Sequence, residues 1–372
     1  MIYILLTYLL YPFIYLIILL KRKKGFERIL VIQTAKIGDM ICSTPVFREI
    51  KKRYPSAHLT LLIDPVTKGV IEKNPHIDKI TTIRTKDFKG LAGKVRLSGL
   101  IRKGNYDAAV CLNPNVPYAL SLFWGLVPLR ISVMPDFAGI TFKLAAVFFT
   151  HLEKHVRGKM VIETYMQMLR KIGVESSDIS KDVYMSEGAD IMVRDLLGSI
   201  GKPLTGIAIS SGNKMKEMEA EKITALVNKL LDNTGTYIAL IGSGQDRDKA
   251  ESLCGSFSHK ERVINTVGKF SLTELPALLK RLSLFIGVDS GITYMADALS
   301  VPLINVAGPA DMQDQRPTNE YAIIMREKIP CVPCSHAFRS PYSCRLKTRE
   351  CITSVSVEEI FSAANKILLK PN

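Results

Sequence analysis

The chain has one tryptophan and six histidines, and the histidines show neither HxH nor HExxH spacing, which argues against a histidine-held catalytic zinc. No GxSxG elbow is present, so a hydrolase-type serine nucleophile is not expected, and no Walker A stretch marks a P-loop. Zinc-finger spacing, RGG-like tracts and RNP-type aromatic motifs are missing, leaving nucleic acid only net charge in its favour; it is not expected as a partner. Short-period repeats and low-complexity tracts are absent too. Acidic residues are the scarcer sign, 35 Asp and Glu against 50 Lys and Arg, for a formal net charge of +15. That excess suits an anionic partner, a membrane surface or a phosphorylated substrate.

Cysteine is sparse and odd in number, seven in all. Cys42, Cys111 and Cys254 are isolated. Cys331, Cys334, Cys344 and Cys351 cluster as C-x2-C-x9-C-x6-C, and in a reducing compartment such a set favours metal or free thiols over disulfides. Four thiolates could hold a structural zinc, although the second pair is wider than the CxxC of a zinc ribbon.

What the chain does have begins with an apolar run. Residues 2–20 carry no charge and KRKK (21–24) follows at once. About 19 apolar residues just span a hydrocarbon core of ~30 Å. A signal peptide would place its charge before the run and small residues after it, and this segment does neither. Pro12 leaves two arrangements open, a kinked span or a helix lying in the interface. The basic cluster is expected to stay cytoplasmic, so residues 1–24 are read as a membrane anchor with a basic flank. The alternative is a segment that covers another surface of the same protein.

At 372 residues the remainder suits two domains. Apolar strands alternate with helical stretches from 28 to about 112 and again from 205 to 306, the pattern of parallel sheets. The boundaries are placed at 25–185 for a first Rossmann-like domain, 186–353 for a second that includes the cysteine cluster, and 354–372 for a final helix. Residues 113–150 are apolar and hard to parse; ITFKLAAVFF within them reads as a buried helix or a second membrane-contacting surface.

Two segments of similar design stand far apart, ILVIQTAKIGDMICSTPVFREI (29–50) and LFIGVDSGITYMADALSVPLINVAGPADM (284–312). Each reads as strand, glycine turn and helix, an arrangement that leaves backbone N–H groups pointing at one spot suited to phosphate. Asp39 follows Gly38 in the first; its other reading is a cap for the helix containing Pro45. Asp289, Ser290 and Gly291 combine acid, hydroxyl and glycine at a helix start in the second. Lys216, before a helix, can meet a phosphate, with Lys214 beside it leaving the choice ambiguous. Asp246, in the turn GSGQD (242–246), is placed to accept hydrogen bonds from a sugar or base. The loop 308–317 would form an adjacent wall.

Together these motifs resemble glycosyltransferase family 9, the lipopolysaccharide heptosyltransferases. The matching pieces are RILVIQTAKIGDMICSTPVFREIKKRYPSAHLTLL, YDAAVCL, VGKFSLTELPALLKRLSLFIGVDSGITYMADALSVPLINVAGPAD and the cysteine cluster, in that order over about residues 28–352. The resemblance implies a GT-B fold, two Rossmann-like domains facing across a cleft, here with an N-terminal hydrophobic anchor helix. It implies Asp39 as catalytic base, Lys216 and Ser211 at the donor phosphates, Asp246 and Phe270 at the nucleoside, and Asp289, Ser290 and Gly291 at the diphosphate and donor sugar. Tyr294 stands where the family usually has His, and Lys216-Glu217-Met218-Glu219 where K-x-W-P is common. The activity implied is inverting transfer of heptose from ADP-heptose to an anionic lipid-linked saccharide acceptor such as the lipopolysaccharide core. It would take place on the cytoplasmic face of a bacterial inner membrane and require no cofactor. A relative using another nucleotide sugar or a protein acceptor, or a non-catalytic membrane-bound scaffold, remains open at this point.

Overall fold

The computed structural model of the chain describes residues 2–21, 25–198, 200 and 203–369. Residues 22–24 of the basic flank and the last three of the C-terminal stretch lie outside them. The chain divides into two compact units, Met1–Ile179 and Ser180–Asn372.

Unit 1 is built on six parallel strands, β1 (Arg28–Gln33), β2 (His58–Ile63), β3 (Lys79–Thr82), β4 (Ala108–Cys111), β5 (Leu129–Met134) and β6 (His151–Lys154), in the order β3-β2-β1-β4-β5-β6. Unit 2 repeats this with β7 (Leu204–Ala208), β8 (Tyr237–Ile241), β9 (Val263–Asn265), β10 (Leu284–Val288), β11 (Leu303–Val306) and β12 (Ala322–Met325), in the order β12-β11-β10-β7-β8-β9. Counted within each unit, both orders are the doubly wound 3-2-1-4-5-6, although the halves share no readily aligned sequence. The central strands are buried on both faces, which is why they read as continuous apolar runs such as RILVIQ and LFIGV. Helix 220–233 packs Ile223, Leu226, Val227, Leu230 and Leu231 against the second sheet at helical spacing. The last helix, Val357–Leu368, starts at a capping box, with Ser356 N–H donating to Glu359 at 2.9 Å.

Residues 113–150 resolve into helix 116–124, β5, helix 140–145 and a short 3-10 turn. Their organiser is Arg130, 2% exposed. Its Nε donates to the Phe148 carbonyl at 2.6 Å, its Nη1 to those of Val127 and Pro128, and its guanidinium lies over the Phe123 ring at 5.3 Å. A charged group is stable there because carbonyls replace water around it. Burial nonetheless pulls its pKa down to about 10.

Candidate functional site

In a doubly wound sheet the strand order reverses between the first and fourth strands, and a crevice opens beyond their carboxyl ends. In unit 2 these strands are β7 and β10. The loop after β7 carries Ser211 and Lys216, and the turn after β10 carries Asp289, Ser290 and Gly291. Lys216 Nζ and Asp289 Oδ2 form a salt bridge across this switch point, both side chains largely buried. Helix Gly291–Ala298 starts immediately beyond, with Ser290 as N-cap in extended geometry and its hydroxyl 3.2 Å from that of Thr293. Its first-turn N–H groups have no acceptor within the helix. A cation and a helix start therefore share one end of the sheet, a combination that stabilises an anion.

Tyr294, buried, donates its hydroxyl to Asp289 Oδ1 at 2.5 Å and lies 3.2 Å from the Gln315 carbonyl, which brings loop 308–317 against the site. Lys214 and Lys216 pair differently. Lys214 is exposed and bonds Glu217 at 2.7 Å on the protein surface, whereas Lys216 turns inward. Glu217, in the place of the family's variable position, also accepts from Lys249 at 2.5 Å and from Ser211 N–H at 3.3 Å. Burial pushes its pKa up, but the two lysines outweigh that and hold the carboxyl below its ordinary range.

Asp246 is committed to its own surroundings. Its Oδ2 accepts from Ser210 Oγ, Ser243 Oγ and Ser243 N–H at 2.7–2.8 Å. Burial raises its pKa and these bonds, Ser243 and then Ser210, more than reverse the effect. The carboxylate thus ties the turn after β8 to the Ser211 loop. Asp246 and Asp248 also have the D-x-D spacing seen where a metal holds a sugar nucleotide, but Asp248 is exposed on helix 247–255 and the two do not form one cradle. Gly268 has φ +70°, and a Cβ there would sit 2.8 Å from Gly244 Cα. Only glycine permits this approach, which presses the loop bearing the half-buried Phe270 against the 242–244 turn.

The cysteine segment braces the lysine loop. Asn213 Nδ2 donates to the Pro341 carbonyl at 2.9 Å, and Arg349 donates to the carbonyls of Met215 and Glu217. Backbone N–H groups of residue 349 and of 346–348 point at the Cys344 sulfur and lower its pKa. Cys351 is pushed up to about 11, by burial first and then by Cys334, Cys331 and Cys344. Among the described residues, however, the group whose ligand atoms all lie within 4.8 Å is another one, Asp311, Asp314 and His336. His336 Nδ1 faces Asp311 Oδ2 at 3.1 Å and Asp314 Oδ2 at 3.4 Å. No sequence spacing announces this group, since loop 308–317 and residue 336 meet only in the fold. His151 and His155, four apart, lie along extended chain at β6, roughly 13 Å apart by strand rise, and do not share a helix face.

In unit 1, Asp39 lies beyond β1 at the equivalent switch point. Two helices follow β1, Ile37–Cys42 and Thr44–Arg53, broken at Ser43, and it is Ser43 that precedes the Pro45 helix. Asp39 Oδ2 instead accepts Lys36 N–H at 3.2 Å, closing the first turn of the shorter helix. The side chain is half-buried. Its charge reaches Tyr165, whose pKa is pushed well up, chiefly by burial and then by Asp39. Beside it, across β1 and β4, Tyr118 donates to Thr34 at 2.9 Å and Thr34 to Asn113 at 3.3 Å. These polar groups went unread in the sequence; the N-cap Asn115 followed by Val-Pro-Tyr was the available signal, placing a helix start there.

Two doubly wound units, each gathering polar residues at its switch point and one holding an anion-suited lysine and helix start, define a tandem Rossmann-like α/β protein. Glycosyltransferase family 9 (heptosyltransferase) matches residues 94–342, well over half of the chain, and the chain belongs to that family. It is 28% identical over 295 residues to lipopolysaccharide heptosyltransferase 3 of Escherichia coli, covering 77% of this chain and 85% of the relative. Its fold is similar to that of the family 9 glycosyltransferase of Veillonella parvula, with TM-score 0.73, 23% identity, and 94% and 99% of the two chains covered. The E. coli ADP-heptose lipopolysaccharide heptosyltransferase II follows at TM-score 0.72, 18% identity, and 92% and 98% coverage. The expected family and the GT-B type of fold are thereby established, and the chain is a glycosyltransferase.

Proposed function

We propose that the chain moves a heptosyl residue from ADP-heptose to a lipopolysaccharide core or lipid-linked saccharide, with inversion at the anomeric carbon. The observation that carries this reading is the Lys216–Asp289 pair at the start of helix 291–298. A departing nucleoside diphosphate needs positive charge and aligned N–H groups, and both converge there. The heptose and the adenine nucleotide are supported by the names of the relatives.

In this reading Lys216 exchanges Asp289 for phosphate oxygens, with Ser211 and Ser290 adding hydrogen bonds. Asp289, still held by Tyr294, turns to the donor sugar. Asp246 and Phe270 shape the nucleoside side, Asp246 by fixing its loop. The acceptor oxygen forms its bond to the anomeric carbon as the bond to the diphosphate breaks. The electron pair leaves with ADP, and Asp39 takes the acceptor proton. The lysine and the helix start neutralise the leaving group, so the step needs no cofactor.

A structural zinc on Cys331, Cys334, Cys344 and Cys351 behind the Lys216 loop would need their sulfurs to draw together, since they are not a set whose ligand atoms lie within 4.8 Å of one another. Loss of bound zinc and of ADP affinity together in Cys344→Ser checks that role. In this reading the acceptor is anionic and lipid-borne and the enzyme works on the cytoplasmic face of the inner membrane, a reading that the basic chain and its apolar N-terminus support.

Calorimetric titration of the full chain with ADP, UDP, GDP and CMP tests the donor. Selective ADP binding that vanishes in Lys216→Ala supports the assignment. Preference for another nucleotide, a reading favoured by Tyr294 standing in place of His, retains the glycosyltransferase and discards heptose.

A further inference from the structure

The N-terminal helix, Ile2–Lys21, is bound to unit 1 along its length. Positions 4, 7, 11, 14, 18 and 21 form the stripe that faces the unit. Ile4, Thr7 and Ile18 are buried; Trp124 Nε1 donates to Thr7 at 3.0 Å; Tyr11 stacks on Phe123 at 5.2 Å. The Lys94 ammonium lies 4.6 Å from the Tyr3 ring, and Lys21 Nζ donates to Asn105 at 3.3 Å. Those two ends are about 27 Å apart by helical rise, and both are fastened to one folded unit. A helix held in this way cannot cross a bilayer unless the unit enters it as well.

The opposite stripe, Leu5, Leu9, Phe13, Leu16 and Leu20, is bare; Leu9 is 73% and Phe13 70% exposed. It does not end at the helix. Tyr8 donates to the Leu144 carbonyl at 2.8 Å, bringing residues 140–148 alongside. That segment turns Phe142, Ala145 and Phe148 inward and leaves Ile140, Leu144 and Val147 out, Ile140 at 76%. Exposed cations flank the surface: Lys143 within the segment, and Lys89, Arg102 and Lys103 around helix 90–104, which touches both ends of the N-terminal helix.

We propose that this face lies flat on an anionic phospholipid bilayer. The N-terminal helix runs parallel to the surface, residues 140–148 are sunk beside it, and the basic rim meets the lipid phosphates. A continuous apolar area of this kind is not left bare on a soluble monomer. A second copy of the chain is the poorer occupant, because pairing the faces would set the two basic rims against each other. The proposal deepens the membrane part of the reading above and does not depend on the sugar chemistry.

The test floats the full chain with phosphatidylcholine vesicles, with and without about 30% phosphatidylglycerol. Binding is expected to the anionic vesicles, and Lys143→Gln to weaken it roughly fivefold. Leu9→Asp and Ile140→Asp are each expected to weaken it by roughly tenfold or more, with Phe13→Ser as substitute if Leu9→Asp does not fold. Trp124, the chain's one tryptophan, is expected to be quenched by brominated acyl chains without a red shift. A red shift on binding, with Ile140→Asp silent, means that the helix leaves unit 1 to span, and overturns the proposal. Equal binding to neutral vesicles overturns the basic rim, and self-association without vesicle binding assigns the face to a second copy. ADP binding measured on the same samples separates this outcome from failure of the donor assignment.

Discussion

The Tyr294 hydroxyl donates to Asp289 Oδ1 at 2.5 Å while the other oxygen of that carboxylate pairs with Lys216. One acid is thereby oriented from both sides, and the tyrosine does the work of a buried positioning donor. Tyr294→Phe is expected to weaken ADP-sugar binding roughly tenfold, the worth of a hydrogen bond to a charged group. Tyr294→His, which keeps a donor, should recover most of it. Calorimetry with melting curves separates this from loss of fold.

Lys214 and Lys216 are two residues apart and should behave oppositely. Lys216→Ala is expected to abolish measurable nucleotide binding. Lys214→Ala, which removes a solvent-exposed pair, should change it by less than about 1 kcal/mol. Equal losses in both variants would contradict the assignment.

For Asp39, the substitution to Asn is the informative one. The amide oxygen still accepts Lys36 N–H, so the helix start survives, while the proposed base is gone. The turnover rate is expected to fall by about 10²–10⁴-fold with ADP affinity unchanged. A variant that instead lowers stability at constant turnover would assign Asp39 to its helix alone.

Acid should loosen the lysine loop. Asp246 and Glu217 have pKa values depressed in the folded state, so protons bind the unfolded chain more readily. Their stabilisation is complete above the ordinary carboxylate pKa of about 4 and is lost as pH falls through the lower native values. Ser243→Ala removes the largest of the hydrogen bonds that depress Asp246, and should move the onset of acid unfolding of unit 2 upward in pH.

Arg130→Leu should destabilise unit 1 by about 3 kcal/mol or more, since it strands buried carbonyls that the guanidinium satisfies. Arg130→Lys should recover only part, lacking the planar fork. Denaturant titration followed by Trp124 fluorescence reads both.

Most strands were legible in the sequence because buried parallel strands are unbroken apolar runs, and Ser356–Glu359 marked its helix through local hydrogen bonds alone. The Gly-Asp and Asp-Ser-Gly turns could likewise be read, as each depends on neighbours within a few residues, whereas Lys214 and Lys216 could not be told apart. β5, β6 and β12 were not legible: β5 lies in the stretch organised by the buried Arg130, and β6 and β12 are four-residue edge strands with no fully buried position. The same holds for the Asp311–Asp314–His336 group and for the partner of each lysine. The apolar N-terminus was legible as a hydrophobic run, but not what each of its faces meets. Hydropathy counts residues along the chain, whereas the inward 4-7-11-14-18 stripe exists only because Trp124, Phe123 and Asn105 lie on the surface that receives it. Local chemistry was set by the sequence; which groups face each other was decided by the sheet's strand order and by contacts across long stretches of chain.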